Sequence, residues 1–333
     1  MNAALRIVIV NYRTANLVVD CLRSLADEMV GHVGSRVMVM DNASGDGSVE
    51  LVSRAIEQEG WSAWAEVRQL ARNGGFSFGN NEAIRGLPVA QGGPAYVMLL
   101  NPDTTVRPGA VAALVNFMDR HPRAGIAGSR LENAEGGVEC SAHVFPSPLG
   151  ELEGGARLGL LSRILHRYVV APPVRDEPHQ CDWVAGTSMI VRTEVFQDIG
   201  LLDEGFFLYY EEVDFCRRAK NSGWEIWHVP ESRVMHLDGV ATGINEGAKR
   251  RPRYWYESRH RYFVKHHGIP GLVLADVLWA FGRGSLLLRS LIGLGRGPSA
   301  SDPRFFMFDL LWGDLKSLLR GEAWAIRRSV SRQ

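Results

Sequence analysis

Asn101-Pro102-Asp103-Thr104 directly follows the apolar run Tyr96-Val97-Met98-Leu99-Leu100. The run reads as a buried strand, so Asp103 falls at its carboxyl end. Open α/β sheets bind ligands at that edge. A carboxylate there can hold a divalent cation, and the cation can hold a diphosphate. Asn-Pro-Asp is also ordinary turn chemistry, so its weight depends on the motifs around it. Asp41 ends a second apolar run, Val37-Met38-Val39-Met40, and opens Asp41-Asn42-Ala43-Ser44-Gly45-Asp46-Gly47-Ser48. A carboxylate so placed can accept hydrogen bonds from a ribose or a base N–H. A surface turn rich in Asn, Asp and Gly explains the same residues.

Asn73-Gly74-Gly75-Phe76-Ser77-Phe78-Gly79-Asn80-Asn81 is more specific. Consecutive glycines admit a ligand close to the backbone, and amides at a helix start suit phosphate. The segment lacks the Gly-Lys-Ser/Thr ending of a P-loop. Glu211-Glu212-Val213-Asp214 leads into a helix. Two adjacent carboxylates raise one pKa if both are desolvated. Acids at a helix N-terminus also stabilise its dipole, and Asp214 is spaced to pair with Arg217 or Arg218.

These residues need elements to hold them. Residues 5–11 read as a buried parallel strand, and Leu17, Val18, Cys21, Leu22 and Leu25 recur at helical spacing. A strand at 37–40 and a helix from Ser48, read as its cap, to Glu57 follow. A short strand near 67–70, a short helix at 80–86 and the strand at 96–100 complete the alternation. Such alternation implies an α/β fold with a doubly wound, mostly parallel sheet. A helix spans 109–120. Residues 130–180, rich in Gly and Pro, read as the least regular part. Order returns at 184–192, with a helix at 213–222 and a strand at 224–229. Beyond 250 the pattern turns basic, aromatic and helical.

The 333 residues carry 37 Lys+Arg and 37 Asp+Glu, a formal net charge of zero, which gives no broad nucleic-acid surface. The four cysteines form no Cys-x-x-Cys pair, so no zinc site is expected; their spacing fits reduced, mostly buried thiols. We expect neither a signal peptide nor a spanning helix, since no stretch of ~18 uncharged apolar residues is found.

Taken in order, Val8-Ile9-Val10-Asn11-Tyr12, Asp41 to Ser48, Asn73-Gly74-Gly75-Phe76 with Asn80-Asn81, and Leu100 to Thr104 form a series. Gly186-Thr187-Ser188-Met189, Leu202 to Phe207, Tyr210 to Phe215 and Arg233-Val234-Met235-His236 continue it. The series resembles family 2 inverting glycosyltransferases of the GT-A fold, in the rhamnosyltransferase-like branch. The likeness covers residues 5–265. It implies a Rossmann-like catalytic domain over 1–245, with a nucleotide-sugar half at about 1–105 and an acceptor half at about 106–245. A basic, aromatic helical appendage would occupy 246–333.

It further implies inverting transfer from a nucleoside-diphosphate sugar, with Mn²⁺ or Mg²⁺. The donor first in line is dTDP-L-rhamnose, and the acceptor a surface glycan or polyprenyl-linked lipid. By resemblance, Asn11, Tyr12 and Asp41 face the nucleoside, and Asn73, Gly74, Gly75 and Asn80 form the donor loop. Asp103 is the last acid of the family's metal motif, in which Asn101 here replaces the first. His236 completes the metal set, and imidazole tolerates Mn²⁺ better than Mg²⁺. Glu212 maps to the general base, where the family commonly has Asp, and Glu211 orients the site or binds acceptor. Trp183 and Gly186 belong to the acceptor and sugar pocket. A satisfied histidine at 236 and a core tryptophan at 183 remain open alternatives.

Arg250-Arg251-Pro252-Arg253 and Arg259-His260-Arg261 interleave with Tyr254, Trp255, Tyr256, Tyr262 and Phe263. No RNP or helix-turn-helix signature accompanies them, so no nucleic-acid partner is expected. Leu272–Leu294 is apolar but interrupted by Asp276, Arg283 and Arg289. It reads as an interfacial amphipathic pair, and a helical cap or dimer contact fits equally well. The reading is of a cytoplasmic enzyme peripheral at the inner face of the cell membrane. A sugar-phosphate nucleotidyltransferase needs a Gly-rich basic loop after strand one, and Arg13-Thr14-Ala15-Asn16-Leu17 is no such loop. A non-catalytic sugar-nucleotide-binding protein is the other rival, disfavoured by the presence of Glu211 and Glu212.

Overall fold

Apolar strands alternating with amphipathic helices build the first part of the chain in the computed structural model. It describes residues 4–32, 34–87, 93–237, 250–294 and 302–330. The chain divides into two compact units. One comprises Met1–His143, Pro173–Phe207 and Glu211–Ala241. The other comprises Val144–Pro172, Leu208–Tyr210 and Thr242–Gln333. The domain boundary expected near 245 lies outside the described residues.

The first unit begins β1 (Leu5–Asn11), α1 (Ala15–Gly31), β2 (Arg36–Asp41), α2 (Ser48–Gln58), β3 (Ala65–Gln69), α3 (Gly75–Arg85), β4 (Tyr96–Leu100). It continues through β5 (Thr104–Val106), α4 (Ala110–Arg120), β6 (Ala124–Glu132), β7 (Val138–Glu139) and β8 (Ala142–His143). After α5 (Pro148–Ala156) and α6 (Gly159–Ile164) of the second unit, it resumes with β9 (His179–Gln180), β10 (Trp183–Val184), β11 (Ser188–Arg192) and α7 (Thr193–Ile199). It ends with α8 (Glu211–Asn221) and β12 (Glu225–His236).

The main sheet runs β3-β2-β1-β4-β11-β6-β12-β5, with β7 beside β6 and β9 beside β12. β1 pairs in parallel with β2 and β4, as β2 does with β3 and β6 with β12. β11 runs antiparallel to β4 and β6. The strand order reverses between β1 and β4, and the carboxyl ends at such a switch point form the ligand crevice of open sheets. Asn11, Asp41 and Asn101 all stand on that edge. The core beneath is drawn from both sheet and helices, with Ile7, Ile9, Leu22, Leu25, Val39, Met98 and Leu114 buried. Burial of each such side chain contributes about 1.5–3 kcal/mol.

Local chemistry departs from expectation in several places. α2 is not capped by Ser48: Gly47 precedes the helix, and the Asp46 carboxylate accepts from Ser48 N at 3.1 Å and Ser48 Oγ at 2.5 Å. α4 is capped from a distant element. Glu28 on α1 accepts from the backbone N–H of Val111 at 3.1 Å and Ala112 at 3.4 Å. A carboxylate on orphan amides also meets the positive end of the helix dipole. Glu28→Ala is therefore expected to cost about 1–2 kcal/mol, read as a lower urea midpoint with an unchanged slope. An unchanged midpoint would show that the cap is idle.

Asp214, buried, pairs with Arg218 at 2.9 Å, as the helical spacing predicts. Cys21 and Cys216 are buried and Cys140 and Cys181 half-buried, all as thiols. Burial pushes the Cys21 and Cys181 thiols up to about 12.

The second unit contains α5, α6, α9 (Arg253–Leu291), α10 (Phe306–Leu319) and α11 (Glu322–Val330). One glycine among those that made residues 130–180 look irregular, Gly155, serves a helix contact. A Cβ on Gly155 would lie 2.7 Å from the Trp279 carbonyl oxygen, and one on Gly282 would lie 2.6 Å from that of Leu152. Bare backbone thus lets α5 and α9 approach closely. α9 kinks at Gly268, whose φ of 69° and ψ of 177° are non-helical. By length and composition alone, α9 is long and apolar enough to cross a bilayer. Its apolar stretch carries Asp276, Arg283 and Arg289, so it holds no run of ~18 uncharged apolar residues. Large apolar side chains are exposed along this unit, including Phe281, Leu291, Phe305 and Leu319.

Candidate active site

Asn11 and Asp41, both buried, end β1 and β2 side by side. Asp41 Oδ1 accepts from Asn11 Nδ2 at 2.7 Å and Ser44 Oγ at 2.5 Å, and Oδ2 accepts from Ser44 N at 3.0 Å. A carboxylate has about four acceptor sites, so capacity for another donor remains. Asn11 Oδ1 accepts from Thr14 N and Oγ1, which fixes the start of α1. Tyr12 is 41% exposed, with the Arg13 guanidinium 5.2 Å from its ring centre.

The loop at Asn73, Gly74 and Gly75 is held from both sides. Asn73 Oδ1 accepts from Gly75 N at 3.0 Å, and Asn42 Nδ2 donates to Gly75 O at 2.9 Å. Gly75 has a φ of +86°, and a Cβ there would fall 2.1 Å from the Phe207 carbonyl oxygen. That same oxygen accepts from Phe76 N at 2.8 Å. Glycine is required at 75 by both conformation and space. Asn80 Nδ2 donates to Phe76 O at 2.9 Å. Gly74 lies against the ring of Phe78.

Asp103, 3% exposed, leaves the turn after β4 just ahead of β5. β12 pairs antiparallel with β5 so that His236 stands opposite Thr104. The result brings His236 Nε2 to 3.5 Å from Asp103 Oδ1. Ligands sharing one octahedral cation sit about 3 Å apart, so a carboxylate oxygen and an imidazole nitrogen at this spacing suit a cation. Among the described residues no group of three His, Cys, Asp or Glu side chains suits a metal. A cation at this pair would therefore take its other ligands from phosphate and water.

Thr187 links this edge to the acid pair. Asn101 N donates to Thr187 O at 2.9 Å, and a Cβ on the neighbouring Gly186 would lie 3.5 Å from Glu212 Cβ. Glu211 and Glu212 open α8. Glu211 is buried, and desolvation together with the charge of Glu212 holds its carboxyl well above the usual range. Desolvation raises Glu212 to about 7 against the pull of backbone hydrogen bonds. Trp183 is half-buried, with one face taken by the His143 ring at 4.1 Å.

Several buried oxygens around this edge have no hydrogen-bond partner in the protein: Asn42 Oδ1, Ser77 Oγ, Asn80 Oδ1, Glu211 Oε2 and Glu212 Oε2. Buried polar atoms are rarely left so. Their grouping at a sheet's carboxyl edge, with raised carboxyl pKa values, marks a site built for polar ligands. Residues 3–258 match the family described as Glycosyltransferase like family 2.

The chain is a member of this glycosyltransferase family.

The glycosyltransferase is 28% identical over 267 residues to the N-acetylglucosaminyl-diphospho-decaprenol L-rhamnosyltransferase of Mycobacterium tuberculosis, across 76% of this chain and 81% of that one. It is 28% identical over 238 residues to the low-salt glycan biosynthesis hexosyltransferase Agl10 of Haloferax volcanii, across 71% of this chain and 68% of the relative. Among solved structures it is similar to the mannosyltransferase PcManGT from Pyrobaculum calidifontis, determined with GDP-Man and Mn²⁺. That likeness has a TM-score of 0.55 at 13% identity and covers 99% of this chain and 85% of the other. It shows the GT-A fold.

Asn42, Ser44, Ser77 and Thr187 belong to this glycosyltransferase's candidate site although sequence reasoning did not single them out. Asn42 and Ser44 sit inside a quoted motif, but nothing local shows that Asn42 reaches the Gly75 carbonyl, 33 positions on. Asn81, next to Asn80, instead pins the following loop, accepting from Leu202 N at 3.1 Å and donating to Leu202 O at 2.9 Å.

Proposed function

We propose that the protein transfers L-rhamnose, with inversion, from dTDP-L-rhamnose to a glycan on a polyprenyl-diphosphate lipid. The observation that carries the catalytic reading is the Glu211–Glu212 pair, Glu211 buried and Glu212 half-buried, with an unpartnered buried oxygen on each and Glu212 against Gly186 beside the strand edge. The choice of sugar and acceptor is supported by the name of the mycobacterial relative. Glu212 accepts the proton of an acceptor hydroxyl as its oxygen bonds to the sugar C1. The bond from C1 to the diphosphate oxygen breaks on the opposite face, and the electron pair leaves with the nucleotide. Asn11, Tyr12 and Asp41 hold the nucleoside, while Asn73, Gly74, Gly75 and Asn80 hold the donor. Asp103 and His236 would hold a divalent cation, Mn²⁺ for preference, which when bound neutralises the departing diphosphate. Trp183 and Gly186 border the acceptor sugar.

A lipid-linked acceptor requires work at a membrane surface. The exposed apolar side chains of the second unit, with Arg163, Arg167, Arg304 and Arg320 among them in sequence, support peripheral contact at the inner face of the cell membrane.

The test is a hydrolysis screen of nucleotide sugars joined to calorimetric titration of dTDP with and without Mn²⁺. dTDP-L-rhamnose is expected to be consumed ahead of UDP- and GDP-sugars, and Mn²⁺ to tighten dTDP binding. Asp103→Ala should erase roughly tenfold or more of that Mn²⁺-linked gain. A metal-independent affinity in the parent protein rules out the cation site, and indifference to dTDP-L-rhamnose rules out the donor.

A further inference from the structure

The fold requires glycine at 75 and does not require it at 186. Gly186 is not among the glycines with a positive φ. The atoms nearest to a Cβ built on it are Glu212 Cβ at 3.5 Å, Glu212 Cγ at 3.8 Å and Phe76 Cε1 at 3.8 Å. These are ordinary contact separations between carbon atoms, so an alanine methyl fits there without clash. Glycine raises the chain entropy that folding must remove. A glycine with neither a backbone nor a packing reason therefore calls for another one.

Three elements meet at the space it leaves. Phe76 stands in the first turn of α3, next to the glycine pair, and its N–H is fixed by the Phe207 carbonyl at 2.8 Å. Gly186 precedes β11, whose pairing with β4 sets Ser188 opposite Leu100 and so brings Gly186 to the carboxyl edge of the sheet. Glu212 lies in the first turn of α8. All three residues keep part of their surface accessible. Inversion requires the attacking and leaving oxygens on opposite faces of C1. The reacting sugar must then lie between the proton acceptor and the diphosphate. With Glu212 on one side and the loop at Asn73, Gly74 and Gly75 on the other, Gly186 lies beneath that line.

We propose that Gly186 and Phe76 are specificity-determining residues: the missing side chain at 186 leaves room for the reacting end of the donor sugar between Phe76 and Glu212. The inference rests on the reading of Glu212 as proton acceptor and of the loop before α3 as the donor site. Phe76 supplies an apolar wall, and the bare backbone of Gly186 sets the depth beside it.

The experiment adds the missing methyl group as Gly186→Ala in the full chain. Three quantities are compared with the parent: affinity for dTDP, affinity for dTDP-L-rhamnose in a Glu212→Gln background, and hydrolysis of dTDP-L-rhamnose. The variant is expected to melt no lower than the parent and to bind dTDP equally, because dTDP carries no sugar. Its affinity for dTDP-L-rhamnose should fall about tenfold, the effect of one methylene in a pocket. Hydrolysis should fall about a hundredfold as the sugar is displaced. Phe76→Leu, whose side chain ends short of the Cε1 position, should restore most of the lost affinity when combined with Gly186→Ala. Undiminished affinity for dTDP-L-rhamnose overturns the inference, as does an equal loss for dTDP. A loss of hydrolysis with donor affinity intact would assign Gly186 to the setting of Glu212 and overturns it too. Should Gly186→Ala not fold, Phe76→Trp narrows the same space from the opposite wall and carries the same expectations. If the parent consumes a UDP- or GDP-sugar instead, that donor and its diphosphate take the same places. A parent that hydrolyses no nucleotide sugar ends the donor reading, and a normally active Glu212→Gln ends the proton-acceptor reading; either takes the inference with it. A parent that consumes its donor beside an indifferent Gly186→Ala removes the inference alone.

Discussion

Glu212→Gln is expected to lower turnover by about three orders of magnitude, within the range that general-base catalysis contributes, while leaving dTDP affinity unchanged. The amide keeps the shape and polarity of the carboxyl and loses the capacity to accept a proton. The residues proposed to hold the nucleotide lie on other elements, at the ends of β1 and β2 and in the loop before α3, so binding should persist. Because desolvation raises the Glu212 carboxyl to about 7, the parent kcat/KM should rise with pH through that value as the base ionises. The same burial gives the variant an opposite effect on stability. A carboxyl whose folded pKa exceeds its ordinary 4.5 contributes fully to stability below that ordinary value. The contribution is lost as pH climbs through about 7. The substituted amide has nothing to ionise, so the variant should melt higher than the parent above neutrality and no higher in acid. A Glu212→Gln enzyme with parental turnover would exclude Glu212 as the base. A parental melting profile in alkali would show that its burial costs nothing.

What could be read before folding was what local pattern encodes. Strand β4 ending at Asn101-Pro102-Asp103, the glycine pair before α3 and the acids opening α8 are contiguous in sequence. Their chemistry follows from residue type and from the rule that ligands meet sheets at carboxyl ends. His236 was harder, because only the β5–β12 pairing places it beside Asp103. Here the resemblance to a family supplied what spacing did not. Features with partners far along the chain were invisible. Glu28 caps a helix 83 positions ahead at Val111, and Arg259 bonds Asp314 across 55 positions. Gly155 of α5 was misleading for a physical reason. Glycine signals flexible chain in local statistics, yet here it removes side chains from a tight helix crossing. The left-handed backbone at Tyr209 and Tyr210, with φ of 69° and 67°, leaves no trace in sequence either, since tyrosine there contradicts local preference.

Arg259→Leu is expected to destabilise the helical unit by about 3–5 kcal/mol at neutral pH, the usual cost of removing one partner from a buried ionic group. Arg259 is 1% exposed and faces Glu151 at 3.2 Å, Asp276 at 2.9 Å and Asp314 at 3.1 Å. Burial opposes its charge, but the three carboxylates keep it firmly protonated. His260 adds a contact, its Nδ1 2.7 Å from Asp314 Oδ1 and its Nε2 3.0 Å from Ser317 Oγ. The carboxylates come from α5, from α9 beyond its kink and from α10, so one guanidinium ties three helices to the first half of α9. Even with that cation present, desolvation raises Asp276 to about 7. Without it the three acids lose their shared guanidinium, and the Asp276 carboxyl must climb further. An acid raised above its ordinary 3.8 withdraws stability as pH rises through its folded value. The deficit of Arg259→Leu should therefore be largest at neutral and alkaline pH and shrink on acidification. Adding Asp276→Asn and Asp314→Asn should recover much of the loss, because amides need no counter-ion. Urea unfolding read through Trp255 and Trp279, which both pack on Phe306 at 5.4 and 5.2 Å, follows this region directly. A variant that melts with the parent at neutral pH would show that helix packing alone holds α5, α9 and α10 together. A deficit indifferent to pH would assign the loss to the missing side-chain volume and not to the uncompensated acids.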